Sequence, residues 1–388
     1  MRICLISFEF LPKTGFGGAA ALYTDLANAL VRLGHEVVVL SGNDTSKTET
    51  EIVNGFTNLR FGHRRLRPRP LACMTRSLDV LRHYSNLVKR TGPFSVVESP
   101  ELAAEPILIN AIRKTCPSVT RLVTPHFLLH KMNERRRFRT VDWLERDNAN
   151  LSDVILGDSR QWAEDIMKEW KISLSKLRIC PLGIDLQRID SVRQIPTDIG
   201  KPYVLYAGRL TLAKGPQILA MASPWILKEH PEVKIVFAGG DTLSASGQSV
   251  RGMVESAVTP ELRKSFLFKG FIKSWDELVN LYRNASVCVK ADVYTNHSYD
   301  TMGQLACGRP LVCTKNEAHM DMIEDQKNGF LFDREDPRQL ATIINKLLSD
   351  PALCKETGKQ ARRTVETRFT SSICASESIK VYSELTGL

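Results

Sequence analysis

Apolar runs of strand length alternate with helix-period patterns along almost the whole chain, and nothing else in the sequence restricts the fold as much. Ile3–Phe8 is a continuous apolar run, the composition of a strand buried on both faces. Leu22, Leu26, Leu30 and Leu33 then mark one face of a helix that Gly34 can end. Val37–Leu40 is the second strand, and Ser95–Val97, Arg121–Thr124, Val154–Leu156 and Leu177–Cys180 continue the series. Asp185–Lys201 is polar, carries Pro196 and Gly200, and reads as a linker. Beyond it the pattern restarts with Tyr203–Ala207, Val233–Ala238, Phe266–Phe268, Val287–Lys290, Pro310–Cys313 and Phe330–Phe332. Ser274 with Glu277 spells a capping box, and Asp336-Pro337 a capped helix start. The expected fold class is α/β, with two Rossmann-like domains facing each other across a cleft. Residues 1–187 form the first, 188–370 the second, and 371–388 a final segment. Ligands in such sheets bind beyond the carboxyl ends of the strands.

Bulk properties narrow the partners. The net charge of +10 over 388 residues favours anionic ones: nucleotide phosphates, anionic lipid surfaces or nucleic acid. None of the nine cysteines makes a C-x-x-C pair, and Cys4, Cys288 and Cys313 sit inside apolar strand runs. Buried thiols in a reducing compartment are expected, without zinc or a disulfide frame. No stretch approaches the roughly 20 apolar residues of a membrane span, and the start reads as a strand. The expected place is the cytoplasm, with peripheral attachment to the inner membrane face left open.

One junction carries the clearest chemistry. The strand Tyr203–Ala207 runs into Gly208-Arg209, and Lys214-Gly215 precedes the helical run Pro216–Glu229. Two fixed cations at a strand-to-helix junction suit a diphosphate, to which a helix N-terminus adds N–H donors and a positive dipole end. A second anion site is expected where Ser298 or Asp300 caps a helix, with the N–H groups around Ser298, Tyr299, Asp300 and Thr301 aimed outward. Gly270-Phe271-Ile272 ends another strand and can form a shelf for a flat base. In the first half, Gly15, Gly17 and Gly18 form a loop ahead of a helix, where backbone can approach a phosphate or sugar. Its match to a dinucleotide fingerprint is loose, because Glu9–Thr14 separates the strand from Gly15 and no acid ends the second strand. His126 in Thr124-Pro125-His126 is expected at a strand end facing the cleft, with His130 a competing candidate. The basic runs 63–69 and 135–139 read as solvated loops, or as contacts for an anionic acceptor or membrane surface. No nucleic-acid motif accompanies them. There is no Asp-x-Asp and the histidines are scattered, so no metal site is expected.

Together these motifs resemble the retaining nucleotide-sugar glycosyltransferases of family 4, which have the GT-B fold. The resemblance rests on Gly17-Gly18, Gly34-His-Glu-Val-Val-Val-Leu40, Thr124-Pro-His126, Cys180-Pro-Leu-Gly183, Gly208-Arg-Leu210, Lys214-Gly215, Phe237-Ala-Gly-Gly240, Gly270-Phe-Ile272, Ala306-Cys-Gly-Arg-Pro310 and Asn328-Gly-Phe-Leu331. It implies a nucleotide-sugar donor, UDP-linked before GDP-linked, with no cofactor and no metal. It implies that Arg209 and Lys214 hold the donor diphosphate, helped by the N–H groups of Ser298–Thr301. Phe271 and Ile272 would seat the base, His126 would lie near the reacting sugar carbon, and Gly17 and Gly18 would approach donor and acceptor. It also implies that 371–388 crosses back to the first domain. The family's two glutamates fall, by register from Gly308, on Thr295 and Gly303, so both are missing. Asp300 or Gln304 is the nearest substitute. That gap leaves a non-catalytic homologue as the alternative function, while a nicotinamide oxidoreductase is disfavoured by the loop spacing.

Overall fold

The computed structural model describes all residues except 16, 63–68, 113, 132–137, 201, 245 and 294–296, together with the side chain of Arg69. The described chain forms two compact units. One runs to Asp185 and takes back Thr370–Leu388, and the other is Leu186–Phe369.

The first unit is built on an eight-stranded sheet. Its strands are β1 (Arg2–Ser7), β2 (Glu36–Asn43), β3 (Glu49–Val53), β4 (Phe56–Gly62), β5 (Val96–Pro100), β6 (Ser118–Arg121), β7 (Val154–Gly157) and β8 (Leu177–Ile179). Their order is β3-β4-β2-β1-β5-β6-β7-β8, parallel except for β3 against β4. The strand expected at Arg121–Thr124 lies earlier, at Ser118–Arg121. The N–H groups of Val123 and Thr124 leave the ladder and donate to the Glu101 carboxylate at 2.7 and 2.6 Å. The β3–β4 hairpin was not foreseen. Its signal was Asn54-Gly55, both with positive φ, the pair that a tight hairpin turn requires.

The helix Ser371–Thr386 packs against the helix Gly18–Arg32 and closes this unit. It is held by a buried ion pair. Arg121 and Glu98 are 1% and 0% exposed, with Arg121 Nε donating to Glu98 Oε1 at 2.7 Å. Arg121 also donates to Ser378 Oγ at 2.8 Å, and Tyr382 Oη donates to Glu98.

The second unit is a six-stranded parallel sheet. Its strands are β9 (Tyr203–Ala207), β10 (Lys234–Ala238), β11 (Phe266–Gly270), β12 (Val287–Lys290), β13 (Leu311–Thr314) and β14 (Phe330–Phe332), in the order β11-β10-β9-β12-β13-β14. Tyr206 pairs with Phe237 on one side and Val289 on the other. The central strands are buried on both faces, which is why they read as unbroken apolar runs. Ser274 accepts from the Glu277 N–H, and Asp336 accepts from those of Arg338 and Gln339, as their capping signals required. The strand order reverses between β9 and β12. Their carboxyl ends therefore form the crevice where sheets of this kind bind ligands.

Candidate functional site

The β9 end is shaped by backbone packing. Gly208 (φ 150°) donates to Ala238 O at 2.9 Å. Tyr206 Oη donates to the carbonyls of Arg209 and Lys214, both at 3.1 Å, and so pins the loop between them. Arg209 is exposed. Lys214 ends a short 3-10 turn, Leu212–Lys214, ahead of the helix Pro216–Glu229. Gly215 must be glycine on two counts. Its φ is 67°, and a Cβ would stand 2.1 Å from Ala291 O. That close approach seats the Lys214 turn against the segment that follows β12.

The β12 end supplies the opposing charges. The helix Tyr299–Ala306 begins there, with Ser298 at the capping position in extended conformation and no side-chain cap bond. Its first-turn N–H groups have no intrahelical acceptor by geometry. Asp300 lies in that first turn, its side chain 46% exposed and 3.9 Å from Lys290 Nζ. Asp292, 0% exposed, stands 3.7 Å from Lys214 Nζ and 3.6 Å from Lys290 Nζ. Burial would raise the Asp292 pKa, but the Lys214 and Lys290 ammoniums outweigh it and hold the carboxyl below its usual value. The arrangement is a cationic and N–H-rich end of a sheet, suited to an anionic ligand.

The other expected residues fall as follows. Gly270 (φ 67°) ends β11 and accepts from the Gly239 N–H at 2.8 Å. Phe271 is 50% exposed and Ile272 half-buried, giving an apolar surface two strands from β9. Thr295 lies outside the described residues, Gly303 is buried inside its helix, and Gln304 is fully buried. Of Asp300 and Gln304, only Asp300 reaches the surface. In the first unit, Gly17 caps the helix Gly18–Arg32 and a Cβ there would meet nothing within 4 Å, so open space stands over this turn.

His126 departs from expectation. It does not end a strand but opens the helix His126–Lys131, and it is 0% exposed. Its N–H donates to Glu145 Oε2 at 2.7 Å, its Nε2 accepts from the Phe138 N–H at 3.2 Å, and its ring stacks on Phe138. Glu145 also accepts from the Ala103 N–H at 3.0 Å, where φ is 61°. Glu101, buried and facing the Glu145 charge, has its pKa pushed up to about 8, against the pull of its N–H donors. His130 is half-buried. Of the basic runs, 63–68 and 135–137 lie outside the described residues. The nine cysteines form no disulfide with one another.

Sequence reading passed over Lys290, Asp292 and His319. The available signal was a lysine closing the otherwise apolar Val287-Cys-Val-Lys290 run, with an aspartate two residues on.

Comparison with known proteins agrees with this architecture. Residues 16–188 match the model described as Glycosyltransferase Family 4, and 187–364 that of Glycosyl transferases group 1. Spore coat protein SA of Bacillus subtilis is 26% identical over 98% of this chain and 99% of its own length. Glycogen synthase of Mycobacterium tuberculosis is 24% identical over 98% and 94%. Among solved structures, sucrose-phosphate synthase from Thermosynechococcus elongatus superposes with a TM-score of 0.81 at 20% identity, over 100% of this chain and 99% of that one. Anabaena HepE, solved with UDP and glucose, superposes at 0.73 and 17% identity, over 99% and 100%. With these two family models jointly spanning residues 16–364, the chain belongs to the family 4, group 1 glycosyltransferases of GT-B fold.

Proposed function

We propose that the protein is a retaining, metal-independent transferase that moves a sugar from a nucleotide-diphosphate sugar to a hydroxyl acceptor. UDP-sugars rank ahead of GDP-sugars. The observation that carries the reading is the pairing of Arg209 and Lys214 at the β9 end with the first turn of the helix Tyr299–Ala306 at the adjacent β12 end. In this reading Arg209 and Lys214 neutralise the diphosphate as it leaves, and the helix N–H groups share its charge. The acceptor hydroxyl attacks from the leaving-group side, so the anomeric configuration is kept. The solved complex of HepE with UDP and glucose supports the choice of donor. Phe271 and Ile272 seat the base, and Gly17 and Gly18 admit donor and acceptor. His126 serves the reacting sugar only once the Phe138 ring moves off it. The deciding experiment is calorimetric titration with UDP- and GDP-sugars, followed by proton NMR of the product's anomeric centre with and without EDTA. Inverted configuration, or activity lost to EDTA, would overturn the respective part.

Asp300 takes the place of the missing carboxylates. Asp300→Ala is expected to weaken sugar-nucleotide binding about tenfold, as for loss of one charge-assisted hydrogen bond at a half-exposed site. Unchanged donor affinity would reduce Asp300 to a helix-end acid. The second reading, a non-catalytic partner protein, draws on Gly303, which presents no side chain where a carboxylate would stand. Nucleotide-sugar hydrolysis without acceptor separates the two.

A cytoplasmic protein touching the inner membrane face, with an anionic or lipid-linked acceptor, completes the proposal. Among the described residues no helix is long and apolar enough to cross a membrane. On the helix Arg69–Thr91, however, Leu71, Met74 and Leu78 are exposed on one face and continue into exposed Arg82 and Lys89. Phosphatidylglycerol vesicles should pull the protein down at low salt, and Leu71→Asp/Leu78→Asp should abolish this. Equal sedimentation with neutral vesicles would count against it.

A further inference from the structure

Lys290 closes β12 with its side chain 1% exposed, and a lysine is almost never so buried unless paired. Its Nζ donates to Ala207 O at 3.3 Å and lies 3.6 Å from Asp292 Oδ2 and 3.9 Å from Asp300 Oδ2. Asp292 is shared in turn, with Lys214 Nζ 3.7 Å from Oδ1 and His319 Nε2 3.7 Å from Oδ2. These separations suit charges in balance better than hydrogen bonds. His319 adds no cation. Its Nδ1 donates to Thr314 O at 2.8 Å, and burial lowers its pKa to about 4. One buried carboxylate therefore stands between two ammoniums, and the second ammonium also faces Asp300.

We propose that Lys290 is a positioning residue of the donor site, sharing Asp292 with Lys214 and holding Asp300 in place. The inference rests on the function proposed above. A buried carboxylate facing Lys214 alone would draw that ammonium into a one-to-one pair, because an uncompensated buried charge is costly. With Lys290 present, Asp292 is shared between two ammoniums, which leaves the Lys214 charge able to act on a diphosphate beside the first turn of the helix Tyr299–Ala306. The same Lys290 ammonium orients Asp300, which has no other cation within ion-pair distance among the described residues. Lys290 thus couples the phosphate end of the site to the residue assigned to the rest of the donor, without itself touching substrate.

The test is a double-mutant cycle read by UDP calorimetry and by donor kcat and KM, with thermal unfolding followed in parallel. Lys290→Met should weaken UDP binding about tenfold or more, by committing Lys214 to Asp292. Lys290→Met/Asp292→Asn, which removes both buried charges, should recover most of that loss. A purely structural role would make the double variant as weak as the single one or weaker, and that result would overturn the proposal. Should Lys290→Met fail to fold, Lys290→Gln, which keeps a donor for Ala207 O, repeats the cycle with the same expectation. If the wild-type protein binds neither UDP nor inorganic pyrophosphate, the proposed function falls and this inference with it. If it binds and the double variant shows no recovery, only the inference falls.

Discussion

Lys214→Ala should lower donor-dependent transfer by about 100-fold or more while leaving the second unit folded. The size follows from losing one preorganised charge at the site where negative charge builds up on the leaving group, typically 10²–10³ in rate. The fold should survive because the Lys214 side chain is 19% exposed at the end of a 3-10 turn, and its Nζ lies 3.7 Å from Asp292, beyond hydrogen-bond range. Asp292 keeps Lys290 at 3.6 Å in the variant, so no buried carboxylate is stranded. The measurement is steady-state kcat/KM with UDP-glucose as the first donor tried, beside a thermal unfolding curve. A variant that keeps more than about a tenth of wild-type activity would remove Lys214 from the diphosphate site. A variant that loses activity together with its melting transition would leave the assignment to Arg209, whose substitution then serves as the check.

The second large effect concerns the fold. Arg121→Leu should destabilise the first unit by about 3–5 kcal/mol, since it leaves the Glu98 carboxylate buried without its cation. The damage should spread to the C-terminal helix, because Arg121 reaches Ser378, and Tyr382 donates to Glu98. Denaturant unfolding measures the loss, and limited proteolysis should show cleavage within Ser371–Thr386 before any other helix. Glu98→Leu/Arg121→Leu removes both charges and should restore much of the stability, as replacement of a whole buried ion pair usually does. A single variant losing less than about 1 kcal/mol would mean that water or neighbouring groups take over the carboxylate, since that range is typical of exposed pairs.

How far the sequence could be read depended on whether the information was local. Val287–Lys290 and Phe330–Phe332 are strands at the bounds their apolar runs gave, and Pro216–Glu229 is a helix at the bounds its pattern gave. Strand β6 was misplaced by three residues because apolar content runs on through Leu122 and Val123. What ends the strand is a carboxylate far along the chain, Glu101, taking up the next two N–H groups. His126 was placed in the open for the same reason. Its burial depends on Phe138 and Glu145, which sequence periodicity does not connect to it.

Contiguous residues settled what contiguous forces control. Apolar strand runs, caps such as Ser274 and Asp336, and the glycines flanking Arg209 and Lys214 marked out an α/β chain with a cationic, glycine-flanked turn after the strand Tyr203–Ala207. Only the tertiary structure decided which charges meet there. Lys290 reaches Ala207 across 83 positions because β12 pairs with β9, and Tyr382 reaches Glu98 across 284 because the last helix folds onto the first unit. Strand order and helix docking follow from burying whole faces of elements at once. A lysine at a strand end is the same letter whether it lies in water or beside a buried aspartate, and the desolvation that separates the two cases exists only once the sheet has closed.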